Sequence, residues 1–462
     1  MMRRVAATVT ALTLAGCSLA PAYQRPTAPV PPSFPQGEAY AAPAESALPS
    51  VSYRDLFRDA RLQALIAQAL AENRDLRVAA ANLAAARAQV RVSRSAQFPE
   101  VGVNGSADYR RGQGDSYALQ GGVSSFELDL FGRLANATAE QRERALASEA
   151  DARTVRIGLV ADLAQAWIAY AADRDLLAIA QDTAANAGKA VELTRLRLNG
   201  GIAPRTDLRQ AEQVLETAQG DVAEQKTALA QDENLIRLLV GAEFDRAHLP
   251  GSLAEIDDGF VALTPGTSSE VLLRRPDVEQ AEHLLKAANA DIGVARAELF
   301  PRISLTGLLG LASDALGSLF TGGAFTATAG ADAAYTIFDA GGRRASVAVS
   351  EAQRDAALAS YEKAIQSAFR EVSDVLAVRG TIGDRLAAAR ANTAAAADTA
   401  RLTDARYREG IESFLGSLDA QRSLYGARRQ EVGVTAASLT NLVELYRALG
   451  ADTFAEGGAG LR

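Results

Sequence analysis

The stretch Phe300-Pro301-Arg302-Ile303-Ser304-Leu305-Thr306-Gly307-Leu308-Leu309-Gly310-Leu311 decides the fold, because the period of the chain changes at its second residue. Upstream the residues read as helix. Pro301 lacks an amide proton and disfavours helix in Phe300, so the helix stops there. Downstream, Ile303, Leu305, Gly307, Leu309 and Leu311 alternate with other residues, which is the two-residue period of a strand. A Gly-rich loop follows. Then Phe325, Ala327, Ala329, Ala331, Ala333, Tyr335 and Ile337 alternate with Thr326, Thr328, Gly330, Asp332, Ala334 and Thr336, giving one apolar face and one mostly small or polar face.

The same order occurs once before. Phe98-Pro99 ends a helical stretch in which Asp75 falls on Asp277, Ala79 on Ala281, Leu83 on Leu285 and Val90 on Ile292. Val101, Val103, Ala107 and Tyr109 then alternate, as do Phe126, Leu128 and Leu130. Phe131-Gly132-Arg133 is echoed by Phe338 and Gly342-Arg343, and Asn199-Gly200-Gly201-Ile202 by Arg408-Glu409-Gly410-Ile411. The chain is a tandem repeat of roughly 200 residues, too long a unit for a solenoid. Its four strand candidates form two hairpins whose length and apolar face match a transmembrane barrel. Four strands cannot close a barrel, and an open edge in lipid leaves backbone groups unpaired, so other copies must complete it. Two ordinary soluble hairpins on a helical body would share the alternation.

After each hairpin the chain runs without proline from about Arg133 to Leu198 and from about Arg343 to Arg408. Each run would make a helix of roughly 100 Å, beyond globular length. Leu177, Ala184, Val191 and Leu198 are seven apart, with Ala180, Ala187 and Thr194 between them; the return run repeats the spacing as Leu208, Leu215, Val222, Leu229 and Ile236. Sustained heptads predict coiled-coil packing, with small residues permitting close approach. A long-coil scaffold would show the same heptads.

Composition narrows the function. Of the 462 residues 48% are hydrophobic and 23% charged, so the chain can bury a core, and a net charge of -8 opposes general nucleic-acid binding. His248, His283 and one cysteine cannot by themselves supply a metal site. No Gly-rich phosphate loop follows a strand and no Gly-x-Ser-x-Gly elbow occurs, so the sequence predicts neither an enzyme nor a cofactor.

Arg3 and Arg4 precede the apolar run Val5 to Leu14, the order of a secretory signal and too short to span a bilayer. The run ends in Leu14-Ala15-Gly16-Cys17, which resembles the bacterial lipobox and implies lipidation at Cys17. Ser18 follows where an aspartate would suggest retention at the inner membrane, so the resemblance implies the outer membrane. Pro21, Pro26, Pro29, Pro31, Pro32, Pro35, Pro43 and Pro49 then impose an extended strap.

The lipobox, the duplicated plan, the Phe-Pro pairs and the segment from Tyr407-Arg408-Glu409-Gly410-Ile411 through Leu418-Asp419-Ala420-Gln421-Arg422 together resemble the outer membrane factor (TolC-like) efflux family, with the NodT-type lipoproteins as the subgroup. The resemblance covers nearly the whole chain after the strap. It implies a mainly α fold with a membrane β-barrel: each chain gives four strands to a trimeric twelve-stranded barrel and antiparallel coiled-coil helices to a periplasmic α-barrel. The implied partners are two further copies, outer-membrane lipid, a periplasmic adaptor (membrane fusion) protein and an inner-membrane transporter of the resistance-nodulation-division (RND) class. The chain then divides into a signal peptide (1–16), a lipidated proline-rich segment (17–52), opening helices (53–98), a first transmembrane hairpin (99–131) and a first periplasmic helical hairpin (132–240). An equatorial segment (241–275) separates these from a second opening helix (276–300), a second transmembrane hairpin (301–338), a second helical hairpin (339–450) and a tail (451–462).

The resemblance also assigns sites. Gly200, Gly201, Ile202, Gly410 and Ile411 form the hairpin tips that meet the adaptor; Gly201 and Gly410 are also simply the residues that sharp turns need. Asp207 and Tyr407 match positions that latch neighbouring coils, although Glu412 stands where some relatives carry a latch arginine. Without the resemblance, Asp207 is a favourable charge in a first helical turn. Leu415, Asp419 and Arg422, four and three apart, share one helix face that in the family looks into the narrowing tunnel as the periplasmic gate. Some relatives carry a second aspartate where this chain has Gly416. Asp419 could equally be a solvated residue paired with Arg422. A type I secretion conduit for polypeptides, or a periplasmic lipoprotein scaffold whose strands never enter the bilayer, would share most of these features.

Overall fold

A computed structural model describes residues 18–40, 52–110, 114–261 and 268–450. The signal peptide, Cys17 and the tail from 451 lie outside the described residues. The helices are α1 (Tyr53–Leu56), α2 (Ala60–Glu72), α3 (Arg74–Ser95), α4 (Arg133–Asn199), α5 (Arg205–Val240), α6 (Pro276–Ala297), α7 (Gly342–Arg408) and α8 (Phe414–Leu449). The strands are β1 (Val101–Arg110), β2 (Gly114–Glu127), β3 (Arg302–Ser313) and β4 (Phe325–Ala334). The fold is mainly helical with four antiparallel strands, as the alternation and the long proline-free runs predict. Contacts divide it into two compact units. Of the described residues, the first holds 18–28, Ala81–Asp151 and Asp277–Ala364; the second holds those within Pro29–Ala80, Ala152–Pro276 and 365–450.

In the first unit the strands form one antiparallel sheet in the order β1-β2-β3-β4. Its central pair joins the two repeats, with Leu119 opposite Leu311 and Gly121 opposite Leu309. Gly310 is required there, because a Cβ would stand 2.3 Å from the Leu119 carbonyl oxygen and 2.6 Å from the Gln120 Cα. β1 and β4 are the two edges. Val101, Val103, Leu309 and Phe325 are exposed on the sheet, an apolar surface that needs a non-aqueous or protein neighbour.

Each Phe-Pro stop folds the same way. Past α3, the Phe98 amide donates to Ser95; past α6, the Phe300 amide donates to Ala297. Phe131 of the first repeat stacks on Phe300 of the second, ring centroids 4.5 Å apart. The strands end earlier than the alternation predicts. β2 stops at Glu127 and β4 at Ala334, short of Leu130 and Ile337. Partners run out first: Ala334 is opposite Arg302, the first residue of β3, and Leu130 turns its amide back to Leu128.

Residues 18 to 28 of the strap lie along α6. Asn289 donates to the Pro21 carbonyl at 2.7 Å, and Arg25 makes a bidentate contact with buried Glu282 at 3.0 and 2.7 Å. Tyr23 and Lys286 also donate to Glu282. Burial would raise the carboxyl's pKa, but Arg25 and Lys286 hold it below the usual carboxylate range.

The second unit is built on the hairpin of α4 (from Ala152) and α5, the second hairpin of α7 (from Ile365) and α8, and an aromatic core. Trp167, Phe57 and Tyr446 are fully buried, and Phe57 meets Phe260 and Tyr446 edge-on at 5.6 and 5.5 Å. Phe260, with Leu253, Ile256 and Leu272, comes from the segment between the repeats. Of the heptad residues, Leu177, Ala180, Ala187, Val191, Thr194, Leu208, Leu229 and Ile236 are buried, while Ala184, Leu198, Leu215 and Val222 are half-buried. Thr194 satisfies its hydroxyl on the Ala190 carbonyl one turn back.

Candidate gate and hairpin tips

Both hairpins of the second unit turn by the same device. In the first tip Gly201 has φ 72°, its amide donates to Leu198 and the Ile202 amide donates to Arg197. In the second, Gly410 has φ 74°, its amide donates to Tyr407 and the Ile411 amide to Arg406. This paired bonding closes a helix on a left-handed residue, which glycine adopts without a Cβ clash. Gly200 completes the first turn by donating to Leu196. Ile202 and Ile411, 77% and 69% exposed, are thereby left as apolar points at the two tips. Ser413 caps α8 by accepting the Gly416 amide at 3.1 Å.

Behind the tips, Val191, Leu208, Ala211, Phe414 and Leu418 form a buried cluster drawn from both hairpins, with Tyr407 packed against it. Tyr407 meets the Phe414 ring at 5.5 Å, and the Arg197 guanidinium lies 4.5 Å from its centroid. Arg197 thus joins the end of α4 to the end of α7, a contact that no spacing in the sequence announces. Asp207 sits in the first turn of α5. Among the described residues Asp207 and Tyr407 do not hydrogen-bond to each other. Glu412 instead pairs with Arg406 at 3.5 Å.

Leu415, Asp419 and Arg422 lie together on α8, beside the buried Leu418. Leu415 is half exposed, and Asp419 reaches Arg422 at a loose 3.7 Å with both side chains largely in solvent. In a single chain, then, this face is an open polar stripe with one apolar residue. A cavity of about 590 Å³ separates the hairpins behind it, lined among others by Lys189, Thr217, Arg401, Asp404, Gln421 and Tyr425. Farther along, the Tyr425 hydroxyl donates to Asp221 at 2.5 Å and Arg429 stands 3.9 Å from the same carboxylate. Sequence reading missed this cluster, because Asp221 and Tyr425 are 204 residues apart and neither belongs to a motif.

The first hairpin carries a second charged contact. Asp173 on α4 and Asp232 on α5 bring their carboxyl groups close enough to share a proton. Burial, then repulsion from Asp173, pushes Asp232 up to about 7. Among the described residues no group of three or more His, Cys, Asp or Glu side chains could hold a metal ion.

A model of the family described as outer membrane efflux protein matches residues 65–242 and 267–451. The chain is 42% identical to the antibiotic efflux pump outer membrane protein ArpC of Pseudomonas putida, over 97% of this chain and 96% of that protein. It is 36% identical to the cation efflux system protein CusC of Escherichia coli O157:H7, over 95% and 96%. Its fold superposes on the open state of the MtrE outer membrane channel of Neisseria gonorrhoeae with a TM-score of 0.85 at 31% identity, covering 96% of this chain and all of that one.

Proposed function

The chain belongs to the outer membrane efflux protein family, and from that premise we propose that three copies form a closed conduit opened at its periplasmic tips by an adaptor and pump. The protein is an outer-membrane channel of an RND-type efflux pump of a Gram-negative bacterium and not an enzyme. Transport through it is passive, and energy comes from the inner-membrane partner. The observation that carries the trimer is the four-stranded sheet with two edges and exposed apolar residues. Each open edge in lipid would leave a row of unpaired amides and carbonyls, and closing three such sheets edge to edge removes every edge. The lipid-free alternative, a periplasmic scaffold, would leave both edges and the apolar sheet face in water.

The matched tips support adaptor docking: Ile202 and Ile411 are exposed apolar points flanked by turn backbone, suited to a helical hairpin with its own apolar tip. Gly200, Gly201 and Gly410 set their position. In the trimer Leu415, Asp419 and Arg422 face the axis as the gate, while Asp207 and Tyr407 hold the tips near closure. Lipidation at Cys17 adds an anchor beside the barrel, and the strap clasped on Glu282 directs it. The cargo follows the pump: ArpC serves antibiotics and CusC cations on similar chains.

Light scattering with detergent correction on the purified protein tests the architecture. Three chains per particle are expected; a monodisperse monomer would remove the closed barrel. Radiolabelled palmitate should enter the wild type and not Cys17→Ser, and equal labelling of both would remove the lipid anchor.

A further inference from the structure

The two helical hairpins are poorly packed against each other above their tips. The cavity of about 590 Å³ lies between Thr217 and Ala218 on α5 and Gln421, Leu424 and Tyr425 on α8. Apolar contact therefore does not fix the distance between α5 and α8 here; the few polar ties that cross it do. The shortest is the 2.5 Å hydrogen bond from the Tyr425 hydroxyl to Asp221. Arg429, one turn on, stands 3.9 Å from the same carboxylate and lies over the Tyr425 ring, 5.4 Å from its centroid. Asp221 is mostly shielded from solvent, with 18% of its side chain exposed, so water competes weakly for its oxygens.

We propose that Asp221, Tyr425 and Arg429 form a latch within each protomer that holds α8 against α5 and thereby limits movement of the gate; the inference rests on the reading of Leu415, Asp419 and Arg422 as that gate. The coupling is mechanical. Tyr425 follows Arg422 by three residues and Asp419 by six on one continuous helix, so no more than two turns separate latch and gate. α8 cannot carry Asp419 away from the axis without drawing Tyr425 from Asp221. At the tip itself Asp207 and Tyr407 make no such bond, and the Arg447–Asp162 pair between α8 and α4 lies at the far end of α8, so the Asp221 cluster is the charged tie between α5 and α8 near the gate. Its pieces divide the work: Asp221 accepts, Tyr425 supplies direction, and Arg429 supplies charge and a flat surface that keeps the phenol in place.

The test is the resting open probability of the purified full-length channel in planar bilayers, without adaptor. Tyr425→Phe and Asp221→Asn should each raise it roughly tenfold, the scale of a lost hydrogen bond to a charged group. The double variant should open no more than either single, because both remove the same bond. Tyr425→Phe removes one hydroxyl and keeps the ring, so it folds even where Asp221→Asn does not, and its recording alone decides. A conducting wild type with unchanged open probability in Tyr425→Phe overturns the latch and leaves the channel reading intact. Effects that multiply in the double variant also overturn it. A wild type that forms no pore at all overturns the channel reading and the latch with it.

Discussion

Backbone conformation at single residues separates what the sequence displays from what it hides. Gly201 and Gly410 announce their turns, since a glycine closing a long proline-free run is the expected left-handed terminator. Gly410→Ala should destabilise the second tip by about 1–2 kcal/mol, read in chemical unfolding, because alanine at φ 74° crowds its Cβ against the backbone. Ala340 is the converse. It has φ 55° in the turn between β4 and α7, next to Gly341 at φ 89°, which precedes α7 as Gly132 at φ 71° precedes α4. Nothing in the sequence marks an alanine for that conformation. Ala340→Gly relieves strain of about 1–2 kcal/mol and adds unfolded-chain entropy of about 0.5–1 kcal/mol, so a net gain of up to about 1.5 kcal/mol is expected. An unchanged or lower unfolding midpoint would show that the turn holds alanine without strain.

Elements were legible where a residue type stops or starts them. Phe-Pro ended α3 and α6 within a few residues, and the absence of proline predicted α4 and α7, each 67 residues long. Strand ends were overrun because alternation describes one strand, whereas a strand ends where its partner does; β3 offers nothing opposite Tyr335. The β2–β3 pairing that welds the repeats was equally hidden, since register between distant strands leaves no local mark. Helix pairing shows the same limit in the carboxyl contact between α4 and α5. Asp232 is raised to about 7 from an ordinary value of about 3.9, so it binds a proton more tightly folded than unfolded. Such a group favours the fold at low pH and loses that contribution as pH rises through about 7. Asp232→Asn can donate to the Asp173 carboxylate and cannot ionise. It should raise the thermal midpoint by roughly 2–4 °C at pH 8.5 and by less at pH 5.5. Equal shifts at the two pH values would rule out the shared proton.

Across the whole molecule, the repeat, the coiled coils and the tips were readable from one chain, while contacts between copies leave no pattern in it. Asp419 tests how far the assembled reading extends. In one protomer it is an exposed carboxylate loosely paired with Arg422, the environment of a surface ion pair worth little. Assembly around a threefold axis would place three such carboxylates about one lumen, where walls of protein focus the field and like charges cannot move apart. Arg422 would offset part of that charge, and Gly416 supplies no second ring. The net effect expected is a modest cation preference set mainly by Asp419. Asp419→Asn preserves size and helix contacts and removes only the charge. In planar bilayers under a potassium chloride gradient its reversal potential should move toward zero and its conductance should change. Leu415→Ala should widen the constriction without altering selectivity, which separates charge from size. If Asp419→Asn keeps the wild-type reversal potential and conductance, Asp419 lies off the conduction path, and the gate must be sought on another face of α8.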